Sequence, residues 1–165
     1  MSMVHSTAKR ATKRSEMQTF LPYPNRTLSA RTLDPLRRNN QVNEAMVILK
    51  TLLGLYPSKP SGRPGGWPHH PATKMWRGYE RWLCVYAIEC ARAHNRQDGR
   101  LPALRSIRDM LPNTGKPDWW GDEAFHASHR SNLLRKNPTF YSQYGWSESD
   151  DLPYVWPERE HDEEQ

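Results

Sequence analysis

The chain has 165 residues, enough for one domain with a real core, and its seven Trp and seven Tyr carry much of the apolar bulk in a composition that is only 36% hydrophobic. No apolar run approaches the ~20 residues a membrane helix needs, and the first residues lack the apolar stretch of a secretory signal, so the chain reads as soluble and cytoplasmic. The net charge of +6 conceals an uneven distribution: residues 1–16 carry +3, residues from Ser147 onward carry −7, and residues 17–146 carry +10. A compact region with that excess of cations points to a polyanionic partner.

Residues 1–16 have no periodicity and read as a disordered basic extension. "FLPYPNR" is an extended segment punctuated by proline. Asp34 followed by Pro35 marks a helix start, with the acid as cap and proline in the first turn. From there to Gly54 the apolar set Val42, Met46, Leu49 and Leu53 makes a core stripe, and Arg37, Gln41 and Glu44 make a polar ridge roughly opposite. "YPSKPSGRPGGWPHHP" is a loop dense in Pro and Gly. A second long helix is expected over 71–94, with Met75, Tyr79, Leu83, Tyr86 and Cys90 inward and Lys74, Arg77 and Arg81 on a basic face. Cys84 and Cys90 fall six residues apart on it, which suits neither a disulfide nor zinc.

A short helix begins at Pro102, and another opens after the cap Asp122. "TFYSQYGW" is an aromatic turn, "DDLPYVWP" an extended end, and residues 158–165 an acidic tail. No alternating strand pattern, repeat or second core is visible. The expectation is one all-α domain over 17–157, with two long helices, two or more short ones and extended Pro-rich terminal segments.

Within "FHASHRSNLLRKNP", helical geometry puts His126, His129, Arg130 and Leu133 in one sector ~100° wide. The histidines could be metal ligands, core residues or phosphate contacts. They match no standard zinc motif and have Arg neighbours, so the pattern favours contacts to phosphate or base. Glu44 reads either as a solvated helix carboxylate or as a group that stabilises developing positive charge at a sugar C1′.

The segments "MQTFLPYPNRTLSARTLDPLRRNNQVNEAMVIL", "HPATKMWRGYERWL", "WWGDEAFHASHRSNLLRKNP" and "DDLPYVWP", in that order, resemble the pyrimidine-dimer DNA glycosylase family, in its bacterial and actinophage branch. The resemblance implies an all-α fold, no metal or other cofactor, and a monomer acting on duplex DNA that carries a damaged or modified pyrimidine, in the cytoplasm or at the nucleoid. It implies removal of the base, then an apurinic-site lyase step in which a terminal α-amine forms a Schiff base at C1′. By position Glu44 is the catalytic acid, and the amine belongs to Thr19, Gln18 or Met17. The resemblance implies DNA contacts at Arg37, Gln41, His126, His129, Arg130, Arg135 and Lys136, and the positive excess of residues 17–146 adds Arg38, Lys74, Arg77 and Arg81, with His70 and Tyr141 also expected on DNA.

Two departures stand out. Residues 1–16 precede Met17, and an amide nitrogen is no nucleophile. The amine chemistry therefore needs a start at Met17, removal of the extension, or else gives way to a glycosylase without an amine step. No lysine lies between Met17 and Glu44, and Lys50 is the nearest beyond. The Arg-rich stretch is also altered to "RRNNQVNEA". A glycosylase for a modified base and a catalytically silent DNA-binding protein are the alternatives. If ~6 cations contact phosphates, the expected slope of log K against log[salt] is about −5.

Overall fold

The computed structural model describes residues 17–95 and 98–158. The expectations for 1–16 and for nearly all of the acidic tail lie outside the described residues. Among those residues there are seven helices and no strand: α1 (Arg26–Thr32), α2 (Pro35–Leu52), α3 (Pro71–Trp76), α4 (Glu80–Ala93), α5 (Arg100–Met110), α6 (Glu123–Lys136) and α7 (Pro138–Tyr141). A single 3₁₀ turn, Ser142–Tyr144, follows.

Helix starts follow the sequence signals. The Asp34 carboxylate accepts from the Arg37 N–H and Pro35 opens α2, while Asp122 accepts from Ala124 at the start of α6. Asn25 caps α1, a helix not expected from the sequence, by accepting from Leu28. The long helix expected over 71–94 is instead two. Gly78 adopts φ +86, outside the helical region, and the chain restarts at Glu80. The break lets Trp119 donate to the last-turn carbonyl of Met75 at 3.1 Å and pack edge-on against Trp76.

Helix α4 is the hub, packing against α1, α2 and α5. Its Leu83, Tyr86, Ala87 and Ile88 join Ile48, Leu49, Met75, Trp76, Leu104 and Phe125 in the main core. Cys84 and Cys90 are free and buried there, and burial pushes both thiols up to about 12. The inner face of α2 is Gln41, Val42, Ala45, Ile48 and Leu49. The expected stripe is thus rotated, with Met46 and Leu53 only half-buried, and Gln41 leaves the polar ridge for the interior.

The reason lies in residues 18–22, an extended segment threaded through the core with no strand beside it. Buried backbone groups need partners, and here side chains supply them. Gln41 donates to the Gln18 carbonyl (3.0 Å) and accepts from Phe20 N–H (2.7 Å). The Tyr86 hydroxyl donates to the Phe20 carbonyl (2.5 Å), and Trp76 Nε1 donates to Thr19 Oγ1 (2.9 Å). His129 Nδ1 accepts from Leu21 N–H (2.9 Å), His126 Nδ1 donates to the Leu21 carbonyl (2.8 Å), and Arg130 donates to that of Pro22 (2.8 Å).

Both faces of α6 are spent this way. Ser131 and Ser128 accept from the N–H groups of Leu152 and Val155, and Asn132 donates to the Leu152 carbonyl. A helix rich in Ser, His and Asn is buried because it carries the hydrogen bonds of two extended segments.

His129 is fully buried among Phe20, Phe125 and Tyr154, and burial, aided by His126, holds it down at about 3. Its folded value is below the unfolded one of about 6.5, so its contribution is complete above pH 6.5 and is lost as pH falls toward 3. His129 alone should remove roughly 1 kcal/mol per pH unit across that window. Urea unfolding from pH 7 to pH 4 measures this slope, and His129→Asn should flatten it.

Candidate active site

Threading 18–22 through the core sets Met17 and Gln18 beside the middle of α2. Two cavities meet there at the half-buried Glu44, which lines both. The larger, of about 490 Å³, is walled by Met17, Val47, Tyr56, Lys59, Gly66 and Trp67. The smaller, of about 160 Å³, is walled by Gln18, Phe20, Leu36, Arg37, Asn40, Gln41 and Lys136. One side is aromatic and apolar with one amine. The other is polar and cationic.

Local sequence explains how each wall forms. Arg37, Asn40, Gln41 and Glu44 recur at three- and four-residue spacing along α2, so they share an edge of the helix. Arg37 is held by its own cap, donating to the Asp34 carboxylate at 2.8 Å. Lys136 arrives from the last turn of α6 and is exposed. The aromatic wall comes from the loop after α2. Thr51 Oγ1 donates to the Val47 carbonyl (2.8 Å) and accepts from Trp67 N–H (3.2 Å), which pins that loop to the helix. The Gln18 carboxamide is 2% exposed; its oxygen accepts from Thr19 N–H, and its nitrogen has no hydrogen-bond partner among the described residues. A buried orphan donor lining a cavity is a ready partner for a ligand acceptor.

The expected site residues separate into groups. Glu44, Arg37, Gln41 and Lys136 come together at the cavities, although Gln41 is 1% exposed and its carboxamide is committed to the backbone. Of the three positions for an amine, Met17 and Gln18 line cavities, whereas Thr19 is fully enclosed and its nitrogen donates to Gln18 Oε1.

Several expected DNA contacts are directed elsewhere. His126 and His129 do not face a cleft; both are buried and hold Leu21. Arg130 is buried, bonded to the Pro22 carbonyl and the Glu123 and Glu148 carboxylates. Arg38 donates to the carbonyls of Ala30, Arg31, Leu33 and Ala93, and Arg81 to those of Arg108 and Leu111. Tyr141 is fully buried and donates to Asp34.

The remaining positions keep exposure but line neither cavity. His70 caps α3 by accepting from Ala72 N–H, Lys74 lies on α3, and Arg77 reaches the Pro68 carbonyl at 3.4 Å. Arg135 donates to Asn132 and to the Asp150 carbonyl. The sequence did not single out Asn40, Tyr56, Lys59 or Trp67, which line the two cavities. The available signal was a Trp, a Tyr and cations interleaved in a Gly/Pro loop, since aromatic residues on loops are often there to bind.

Among the described residues no group of three His, Cys, Asp or Glu is placed to hold a metal ion, and no helix is long and apolar enough to cross a membrane. A family model described as pyrimidine dimer DNA glycosylase matches residues 17–98. That span takes in the threaded segment, Glu44 and the aromatic loop. No curated protein and no solved structure matches the chain.

Three of the eight cations expected on phosphates are therefore spent inside the fold, leaving Arg37, Lys74, Arg77, Arg135 and Lys136. The slope of log K against log[salt] on duplex DNA should be no steeper than about −4.5. Lys136→Ala should lower its magnitude by about 0.9 with stability unchanged. Arg38→Ala should instead cost on the order of 1–2 kcal/mol in urea unfolding, because it strips the partner from four carbonyls, three of them part-buried.

Proposed function

The chain belongs to the pyrimidine dimer DNA glycosylase family, and we propose that it excises a damaged pyrimidine, a pyrimidine dimer first among substrates, at the divide between the two cavities. The observation that carries this reading is the position of Glu44, a carboxylate with a cationic hollow on one side and an aromatic one on the other.

The chemistry needs that arrangement. As the bond between C1′ and the base breaks, positive charge develops on the sugar ring, and a fixed carboxylate beside it lowers the barrier. The carboxylate must tolerate DNA phosphates nearby, and Arg37, Lys136 and the Gln18 amide on the smaller cavity supply the compensating donors. On the other side, the larger cavity is of ligand-pocket size, and Tyr56 and Trp67 offer surfaces for an unstacked nucleotide. The protein acts in this reading as a monomer, with strand cleavage following base loss where an amine reaches C1′.

Glu44→Gln keeps the shape and removes the charge. Base release from a duplex with one thymine dimer should slow by ~2.7–4 kcal/mol in barrier, the usual effect of one preorganised electrostatic group. Melting temperature and duplex affinity should be almost unchanged. Release on a modified duplex but not on the dimer would give the substrate as a modified base. Wild-type turnover in the Gln variant would return Glu44 to an ordinary solvated carboxylate, and binding without any release would make the protein a silent DNA-binding member.

A further inference from the structure

We infer that the loop between α2 and α3 carries a separate seat for the DNA backbone, in which Lys59, Arg63 and His69 hold a phosphate of the strand whose sugar lies at Glu44. The inference rests on the glycosylase reading above and adds to it the path of the bound strand.

A sugar within a strand has a phosphate on each side, and each strand carries one charge per ~3.4 Å of helix rise. Arg37 and Lys136 stand on the small-cavity side of Glu44 and answer the phosphate there. On the other side the larger cavity offers aromatic surface and the single amine of Lys59. Lys59 also lines a third hollow, of about 280 Å³, with Arg63, Pro64, Pro68 and His69. The three hollows are therefore joined in a row, first at Glu44 and then at Lys59. A strand laid along the row meets cations at both ends and aromatic rings between.

The sequence leaves those cations available. Residues 45–79 contain no Asp or Glu, so nothing within the loop competes for them. Lys59, Arg63 and His69 are all exposed, and none forms an ion pair among the described residues. The fold then brings the two long cations side by side. Lys59 N–H donates to the Arg63 carbonyl (2.9 Å), and Gly62 N–H, at φ +79, donates to that of Lys59 (2.8 Å). The turn so closed sets Lys59 and Arg63 opposite each other at the edge of one hollow.

Pro57, Pro60, Pro64 and Pro68 restrict the backbone. Gly66 seats the loop on α2, where a Cβ would fall 2.5 Å from Thr51 Oγ1. A loop held in this way loses little freedom when an anion arrives. Arg63 supplies a planar fork of donors, Lys59 a point charge and His69 a ring N–H. Lys74, Arg77 and Arg135 line none of the three hollows, whereas Arg37, Lys136, Lys59 and Arg63 lie along the row. Four such contacts give a slope of log K against log[salt] of about −3.6, inside the limit set above.

The test measures affinity of the full 165-residue protein for a duplex with one thymine dimer over a range of salt, with base release followed in parallel. Lys59→Ala and Arg63→Ala should each lower the magnitude of the slope by about 0.9, and the double variant by about 1.8, with melting temperature unchanged. Lys59→Arg and Arg63→Lys keep the charge and should keep the slope. So should Lys50→Ala, which is exposed on α2 and lines no hollow. Replacing one phosphate at a time by a neutral methylphosphonate then locates the contact. At one position on the lesion strand the replacement should weaken the wild type and leave Arg63→Ala no weaker than before. A wild-type slope in the double variant overturns the proposal, and so does an equal loss in Lys50→Ala, which would make the effect one of general charge. Either result with base release intact leaves the glycosylase reading standing. The expected slopes without any base release uphold the phosphate seat and remove the excision reading instead.

Discussion

An extended segment without a neighbouring strand has its N–H and C=O groups open on every side, and burying one in an apolar core is costly unless each group is met. Residues 18–22 are buried in this way, and five side chains from three helices meet their backbone groups: Gln41, Tyr86, His126, His129 and Arg130, while Trp76 holds the Thr19 hydroxyl. Much of the unusual composition of the interior follows. Gln41 sits where an apolar residue would serve helix packing, and two histidines at i, i+3 bracket one residue, Leu21, through its two backbone groups. The same need recurs on α6, whose Ser128, Ser131 and Asn132 serve residues 152–155.

This threading is also what builds the site. With Gln18 and Phe20 tied to Gln41 of α2 and Leu21 and Pro22 tied to α6, Met17 has little freedom and lies against the cavity that Glu44 borders. Gln41 couples the two directly, because the helix edge that presents Glu44 is the one that binds the segment. A loosened clamp would shift the wall of the cavity as well as the fold. In this sense His126 and His129 serve the site without facing it.

The cations divide by the same logic. A guanidinium donates in several directions, so Arg38, Arg81 and Arg130 satisfy clustered carbonyls or carboxylates that a lysine ammonium could not span. Arg37 lies at the cavity, and Lys136 with it on the exposed side. The large positive excess of residues 17–146 therefore overstates the charge available to a polyanion, part of it being structural.

The sequence by itself determined the elements whose causes are local. Asp34–Pro35 and Asp122 open helices because a carboxylate reaches the N–H groups two or three residues on, and such contacts need no tertiary partner. The family, the all-α class and the position of Glu44 on a helix edge were legible for the same reason, being carried by motif and period. Tertiary structure alone decided which polar residues were surface and which were scaffold. His126, His129, Arg130 and Tyr141 share helical spacing with apolar neighbours, and period cannot say whether a polar side chain on a buried face meets DNA or a stray carbonyl. Gly78 was equally silent, since a glycine within a helical pattern ends the helix only where the packing of Trp76 and Trp119 rewards the turn. Lys59 lay beyond reach for the plainest reason. It stands fifteen residues from Glu44 along the chain, and only the loop's return over α2 brings the two to one cavity.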